Sequence, residues 1–298
     1  MLGRRGARTA SSLTLAACVA LGMSAHAARL EAAQARRPVR VVATIEPLCM
    51  LARELGGERV VCTTLVPPGA SPHAFEPRPS AMAAVARADV LLRAGNGIDD
   101  WAKRLAKAGD EGWVVLGPAC EHGDSACAHF WLDPYAALAA LTPLEAALSA
   151  VDTSGRATFA ARRIEAALQL FAGDEASAAA LAEARGAAFV AFHPAWGGFA
   201  KRYGLVDLGA VQAHGAEEPT PRRLAELITT ARAAHVRAVL IEPQLDPHTA
   251  RIVAEELGAR VVTVDPLGDP RDPERASYTA LLLWNARQLA AAFAEEKP

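Results

Sequence analysis

Three histidines and one aspartate in this 298-residue chain have the residue types of a metal-binding set: His73, His129, His193 and Asp265. Three neutral imidazole nitrogens and one carboxylate oxygen can complete the tetrahedron that Zn²⁺ prefers, with each donor atom about 2.0–2.2 Å away. Imidazole-rich sites favour Zn²⁺ over Mg²⁺ or Ca²⁺, which prefer oxygen donors. Four protein ligands leave no position for an activated water, so the set predicts metal binding and not hydrolysis.

Each of these residues also has an ordinary structural interpretation. A single histidine after a strand is more often a hydrogen-bonded polar residue than a metal ligand. An aspartate that precedes a proline, as Asp265 precedes Pro266, is commonly a helix cap or a turn residue. Residue types and spacing alone therefore leave the complete set open.

The elements that would position these residues are short apolar strands that alternate with helical patterns. Eight strands are predicted, over Val39–Ile45, Val60–Val66, Val90–Arg93, Trp113–Leu116, Ala187–Phe192, Leu205–Val211, Ala238–Glu242 and Val261–Val264. The predicted helices between and after them cover Pro47–Leu55, Arg78–Ala88, Ile98–Ala108, Ala195–Tyr203, Pro221–Ala234, Pro247–Leu257 and Tyr278–Phe293. This alternation is typical of parallel sheets covered by helices on both faces. It predicts an α/β fold of two lobes, each with a four-stranded parallel sheet flanked by helices.

The segment between the two sets of strands, Asp133 to Arg185, has no predicted strand. It is rich in Ala, Leu, Glu and Arg, which favour helices. The stretch Asp152–Gly155 can cap a new helix, and Arg156–Arg185 could then form one helix of about 45 Å. We therefore expect an N-terminal lobe over residues 28–150, one long linker helix within 151–185, and a C-terminal lobe over 186–298.

All four candidate ligands follow predicted strands. His73 comes after the second strand and His129 after the fourth, while His193 and Asp265 come directly after the fifth and the eighth. Ligands of open α/β sheets bind beyond the carboxyl ends of the strands. Because two candidates come from each half of the chain, we expect all four to converge in a cleft between the lobes.

The first 27 residues have the features of a signal peptide. Three arginines within the first eight residues precede the apolar run Leu13–Met23, and Ala25–Ala27 has the small-x-small pattern of a cleavage site. The apolar run is shorter than the roughly 20 residues that span a bilayer. We expect cleavage after Ala27 and export to the periplasm. The alternative is lipid attachment at Cys18, because Leu15–Cys18 resembles a lipoprotein box.

The net charge limits the classes of partner that the sequence supports, and the cysteines indicate whether disulfides can form. The formal net charge is −2 at pH 7, which gives no argument for nucleic acid as a partner. Four cysteines follow the predicted leader, and an oxidising compartment permits them to form disulfides. Cys120 and Cys127 bracket a short polar loop, so we predict that they pair. The pairing of Cys49 and Cys62 stays open, as does the interpretation of all four as small buried apolar residues.

Five segments resemble those of the zinc/manganese solute-binding proteins of ABC transporters. They are Leu65–Pro77, His129–Pro134, Phe192–Trp196, Glu242–Pro247 and Asp265–Gly268. The resemblance covers nearly all of Val39–Phe293, with the segments in order and at family-like spacing. It implies two α/β lobes joined by one long helix, with the metal between the lobes. The ligand positions of the family fall on His73, His129, His193 and Asp265.

The resemblance further implies that the chain is not an enzyme. It would capture Zn²⁺ in the periplasm and deliver it to the membrane permease and ATPase of an ABC importer, and we expect a monomer. Family members that take manganese usually carry Glu at the third ligand position, so His193 indicates the zinc branch. Uptake of Mn²⁺ or Fe²⁺ is the main alternative. A zinc-dependent hydrolase and a metal-stabilised surface adhesin are alternatives from other classes.

Two further histidines lie in polar loops. His122, between Cys120 and Cys127, could hold auxiliary zinc, and His214 could line the rim of the cleft. The simpler interpretation of each is a solvated loop residue.

Overall fold

Both predicted sheets are present in the computed structural model, which describes residues 37–120, 125–212 and 220–294. Several sequence-based expectations fall outside these residues. They are the signal peptide over residues 1–27 with Cys18, and the loop histidines His122 and His214.

The N-terminal sheet is parallel and has the strand order β2-β1-β3-β4. Its strands are β1 (Val39–Ala43), β2 (Val60–Thr64), β3 (Val90–Arg93) and β4 (Val114–Val115). The helices of this half are α1 (Glu46–Gly56), α2 (Pro79–Val85), α3 (Ser125–Ala128) and α4 (Pro134–Val151). The central strand β1 is valine-rich and buried at four of its five residues, as expected for a parallel strand covered on both faces.

The linker is a single helix of 25 residues, α5 (Arg156–Ala180), about 37 Å long. It ends earlier than the predicted Arg185, because Leu181 leaves helical geometry and a 3₁₀ turn over Ala182–Ala184 follows. Gly186 then adopts φ 79°, a left-handed conformation that a continuing helix could not contain.

The C-terminal sheet repeats the same topology, with the order β6-β5-β7-β8 and parallel pairing. Its strands are β5 (Ala188–Ala191), β6 (Val206–Ala210), β7 (Ala238–Ile241) and β8 (Arg260–Thr263). Its helices are α6 (Gly197–Tyr203), α7 (Pro221–Ala233), α8 (His248–Leu257) and α9 (Tyr278–Phe293). In each sheet the strand order reverses beside the central strand, which opens a crevice at the carboxyl ends of β1 and β3 and of β5 and β7. The predicted fold class is therefore confirmed.

The linker helix is packed along its length against both halves of the chain. Helix α5 contacts α1 and α4 on the N-terminal side and α9 on the C-terminal side. At Gly173 the approach of α9 is so close that a Cβ atom would lie 2.8 Å from Cγ2 of Thr279. The boundaries at 150/151 and 185/186 stay a prediction.

The predicted helix over Ile98–Ala108 is wrong. The segment instead contains a 3₁₀ helix over Asp100–Arg104, and a second one follows over Gly109–Gly112. The buried carboxylate of Asp99 accepts hydrogen bonds from the backbone N–H groups of Ala94 and Gly95. These bonds draw the chain into a tight turn after β3, so no regular helix starts there.

Two disulfides close local segments of the N-terminal half. The bond between Cys120 and Cys127 confirms the predicted pair. Cys49 of α1 and Cys62 of β2, whose pairing the sequence left open, are also joined, with Cα atoms 5.5 Å apart. Cys127 of one disulfide lies two residues before His129. The disulfide between Cys49 and Cys62 links α1 to the edge strand of its sheet.

Candidate metal centre

The three predicted histidine ligands meet at one point. His73 lies in a 3₁₀ turn after β2, His129 directly follows α3, and His193 lies two residues beyond β5. Nε2 of His129 is 3.3 Å from Nε2 of His73 and 3.1 Å from Nε2 of His193. The ligand atoms of all three lie within 4.8 Å of one another. Nitrogens about 3.3 Å apart form an edge of a tetrahedron whose centre is 2.0–2.1 Å from each, the Zn–N distance.

The cluster is shielded from water. His129 and His193 are each 4% exposed, and His73 is partly buried. Burial, followed by electrostatic repulsion from the neighbouring His193 ring, lowers the pKa of His73 to about 4. His73 is therefore neutral at pH 7, and the neutral imidazole is the form that binds a metal cation.

Glu242, which was not predicted as a functional residue, orients one of the ligands. Strands β5 and β7 are neighbours, and their register pairs Ala191 with Leu240, so position 193 comes opposite position 242. Nδ1 of His193 lies 2.9 Å from Oε1 of Glu242, and Nε1 of Trp196 donates to the same oxygen at 2.8 Å. A proton on Nδ1 leaves the lone pair of His193 on Nε2, which faces the other two histidines.

We expect Glu242→Gln to weaken Zn²⁺ binding about tenfold and Glu242→Leu to weaken it further. Glutamine can still accept a hydrogen bond from Nδ1–H of His193 but lacks the negative charge that strengthens the ligand, whereas leucine can accept no hydrogen bond. Competition with a chromophoric chelator would measure both affinities. Glu46→Gln is the matched control, because Glu46 is also buried but contacts Arg53 and Thr64. Equal losses in Glu46→Gln and Glu242→Gln would contradict a role through His193.

The fourth predicted ligand, Asp265, is 1% exposed and engaged by other donors. Its Oδ1 accepts hydrogen bonds from Nε2 of Gln244 at 2.9 Å and from the backbone N–H groups of Leu267 and Gly268 at 3.0 and 3.1 Å. Its Oδ2 accepts a charge-assisted bond from Nη1 of Arg275 at 2.7 Å. Within the described residues, the close cluster contains the three histidines but not Asp265. Its role as the fourth ligand stays a prediction.

Hydrogen bonds tie the ligand-bearing loops together. The indole N–H of Trp131, two residues after His129, donates to the carbonyl of Pro266, directly after Asp265, at 2.7 Å. The hydroxyl of Tyr278 in α9 donates to the carbonyl of Trp131, also at 2.7 Å. These bonds connect the N-terminal half of the site to the C-terminal half through buried groups.

The space around the imidazoles suits an ion and not an organic substrate. The cavity has a volume of about 10 Å³, room for about one water-sized particle. Its apolar walls come from Trp131, Leu245, Pro266 and Leu267. Such walls exclude solvent and strengthen the attraction between a cation and its ligands.

Named relatives are similar over most of the chain. The high-affinity zinc uptake system protein ZnuA of Paracoccus denitrificans is 28% identical, over 94% of this chain and 97% of its own length. The manganese-binding lipoprotein MntA of Halalkalibacterium halodurans is 25% identical, over 75% of this chain and 77% of its own length.

Solved structures share the fold. A zinc-bound deletion mutant of ZnuA superposes with a TM-score of 0.74 at 25% identity, covering 87% of this chain and 99% of its own. The binding protein FpvC of Pseudomonas aeruginosa, in complex with Mn²⁺, gives a TM-score of 0.75 at 20% identity, covering 86% of this chain and 98% of its own. The second likeness shows the fold alone.

The sequence model of one family, described as zinc-uptake complex component A, periplasmic, matches residues 41–292. This span includes seven complete strands, most of β1, the linker helix and all four predicted ligands. It confirms the resemblance inferred from the five segments and the prediction of a binding protein instead of an enzyme. The chain therefore belongs to the periplasmic zinc-uptake component family, whose members are the metal-binding proteins of ABC importers.

Proposed function

We propose that this protein captures one Zn²⁺ outside the cytoplasm and delivers it to the membrane permease and ATPase of an ABC importer. The observation that carries the proposal is the meeting of His73, His129 and His193 at distances suited to one tetrahedral ion. Asp265 would complete the set as the fourth ligand. The relatives named for zinc uptake support the same cargo.

Manganese is the second candidate cargo, because one relative is named a manganese-binding lipoprotein. Three imidazoles favour Zn²⁺, since Mn²⁺ prefers oxygen donors and binds nitrogen ligands more weakly. Competitive calorimetry would measure both affinities. We expect Zn²⁺ to bind at least about 100-fold more tightly than Mn²⁺. A preference for Mn²⁺ would change the assigned cargo from Zn²⁺ to Mn²⁺ but would not affect the proposed transport role.

The cargo can also be identified in the protein as cells make it. We expect protein purified from the periplasm, without added metal, to carry Zn²⁺ at up to one ion per chain. Elemental analysis of the native material would measure this content. A His129→Ala variant prepared in the same way should carry almost none. Mn²⁺ or Fe²⁺ in place of Zn²⁺ in the unmodified protein would contradict the zinc assignment.

We further propose that the protein is released into the periplasm by cleavage after Ala27 and acts as a monomer. The basic start, the short apolar run and the small-x-small pattern support cleavage at that position. Intact-mass analysis of exported protein would identify the first residue. A mass that includes lipid on Cys18 would favour the anchored alternative. Light scattering with and without Zn²⁺ would test the monomer.

A further inference from the structure

The two oxygens of the Asp265 carboxylate differ in the number of hydrogen bonds that they accept. An ionised carboxylate offers about two acceptor sites on each oxygen. Three donors occupy Oδ1, namely Nε2 of Gln244 and the N–H groups of Leu267 and Gly268. Among the described contacts Oδ2 accepts only from Arg275. A metal ion would therefore have to bind at Oδ2, the oxygen that the guanidinium already holds.

Arg275 has other partners that would keep it in place without Asp265. Its Nε donates to Oδ2 of Asp272 at 2.8 Å, and its Nη2 lies 2.8 Å from the same oxygen. Its guanidinium carbon lies 5.0 Å from the ring centroid of Trp284. Arg275 can therefore release Asp265 through a small side-chain rotation and retain an ion pair and a cation–π contact.

The guanidinium of Arg275 and a metal ion would bind Oδ2 of Asp265 alternately and not together. Asp265 is 1% exposed, and a buried carboxylate without a counter-charge is strongly unfavourable. In the structure Arg275 supplies that charge. Two cations at one oxygen repel each other, so a metal ion that binds Oδ2 would displace the guanidinium towards Asp272.

We propose that Arg275 competes with the metal ion for Oδ2 of Asp265, and so lowers metal affinity and accelerates metal release. This inference rests on the proposed function and on Asp265 as the fourth ligand. The competition gives the site two arrangements, and in each of them the charge of Asp265 is paired with a cation. In one, three histidines face the cavity and Arg275 holds Asp265; in the other, the ion holds all four ligands. The exchange allows a tightly bound ion to leave without exposing an unpaired carboxylate.

The decisive variant is Arg275→Met, which keeps an unbranched apolar stem but removes the guanidinium and its charge. We expect Zn²⁺ affinity to rise about tenfold, the equivalent of one charge-assisted hydrogen bond, and Zn²⁺ dissociation to slow. Chelator competition and stopped-flow release to a chelator would measure the two effects. Arg271→Met is the matched control, because Arg271 lies in the same loop but pairs with Asp269. It should bind Zn²⁺ as the unmodified protein does.

Asp265→Asn provides the test of mechanism. In that background Arg275→Met should change neither affinity nor release, because the contested oxygen no longer carries a charge. A second variant, Asp272→Asn, should act in the opposite direction and weaken binding about threefold, since it weakens the alternative partner of Arg275. This variant keeps the guanidinium, so it also tests the inference if Arg275→Met does not fold.

The opposite results would overturn the inference. Weaker Zn²⁺ binding in Arg275→Met would show that Arg275 positions Asp265 for the metal instead of competing with it. An undiminished effect in the Asp265→Asn background would place its action elsewhere. If Asp265→Asn leaves affinity unchanged while His129→Ala abolishes it, this inference fails but the zinc-capture proposal stands. If the unmodified protein does not bind Zn²⁺, the proposed function itself fails.

Discussion

Replacing His129 by alanine should weaken Zn²⁺ binding by more than about 100-fold, because loss of a ligand exceeds the 10–100-fold cost of losing a group that only orients one. His129 is the central member of the cluster, since its Nε2 is the atom that lies within 3.3 Å of Nε2 of both other histidines. The variant would leave two of the three clustered imidazoles. Chelator competition at pH 7.5 would measure the change.

The control for this variant is His248→Ala. His248 begins α8, is exposed, and is not part of the cluster. We expect its Zn²⁺ affinity to stay within about twofold of the unmodified protein. Circular dichroism would establish that both variants are folded. Small and equal losses in both variants would contradict the assignment of His129 as a ligand.

Glu54→Gln should remove about 2 to 3 kcal/mol from the difference in unfolding free energy between pH 5 and pH 8. Oε1 of Glu54 accepts from the N–H of Tyr278 at 3.2 Å, while Oε2 is buried without a hydrogen-bond partner in the described structure. Burial raises the pKa of Glu54 from 4.5 to about 7, against the opposing effects of the Tyr278 N–H and the charge of Arg162.

The sign of this effect follows from the protons bound in each state. Between pH 4.5 and about 7 the folded protein keeps a proton on Glu54 that the unfolded chain has released. Stability from this group is therefore complete below pH 4.5 and is lost as the pH rises to about 7. Glutamine does not titrate, so the pH-dependent part disappears.

Urea unfolding of the metal-free protein at pH 5 and pH 8 would measure the Glu54 effect. His73, with its pKa lowered to about 4, contributes the opposite trend, because stability is lost as the pH falls below its unfolded value of 6.5. That contribution is the same in both proteins and cancels in the comparison. Glu58→Gln, at an exposed position four residues away, serves as the control. An unchanged pH dependence in Glu54→Gln would show that Glu54 is ionised throughout this range.

Much of the fold and part of the site could be predicted from the sequence, because local patterns determine them. Runs of apolar, β-branched residues predicted the eight strands, with shifts of one or two residues at their ends. The last helix, Tyr278–Phe293, was predicted with the observed bounds. All four candidate ligands were expected to meet beyond the carboxyl ends of the strands, and the three histidines do.

The remaining features depend on contacts between distant residues. Glu242 directly follows β7, and a polar residue at that position could have been predicted as part of the site. Its contact with His193 depends on β5 and β7 being neighbours, and the sequence pattern does not predict the strand order. Arg275 lies in an irregular loop ten residues after Asp265, where no periodicity shows which way a side chain points. The segment Ile98–Ala108 has a helical pattern, but the buried carboxylate of Asp99 imposes a turn on it.

The disulfide between Cys49 and Cys62 links the stability of the fold to the compartment in which the chain resides. It joins residues 13 apart in sequence, and closing a loop of this length stabilises a folded protein by about 3 kcal/mol. Cytosolic reductants keep such thiols reduced, whereas the space outside the inner membrane oxidises them. A chain retained in the cytoplasm would therefore lack a sizeable fraction of a typical net stability of about 5–15 kcal/mol. The weaker reduced form would unfold more readily for export, and oxidation would then secure the lobe that carries His73 and His129 where zinc is captured.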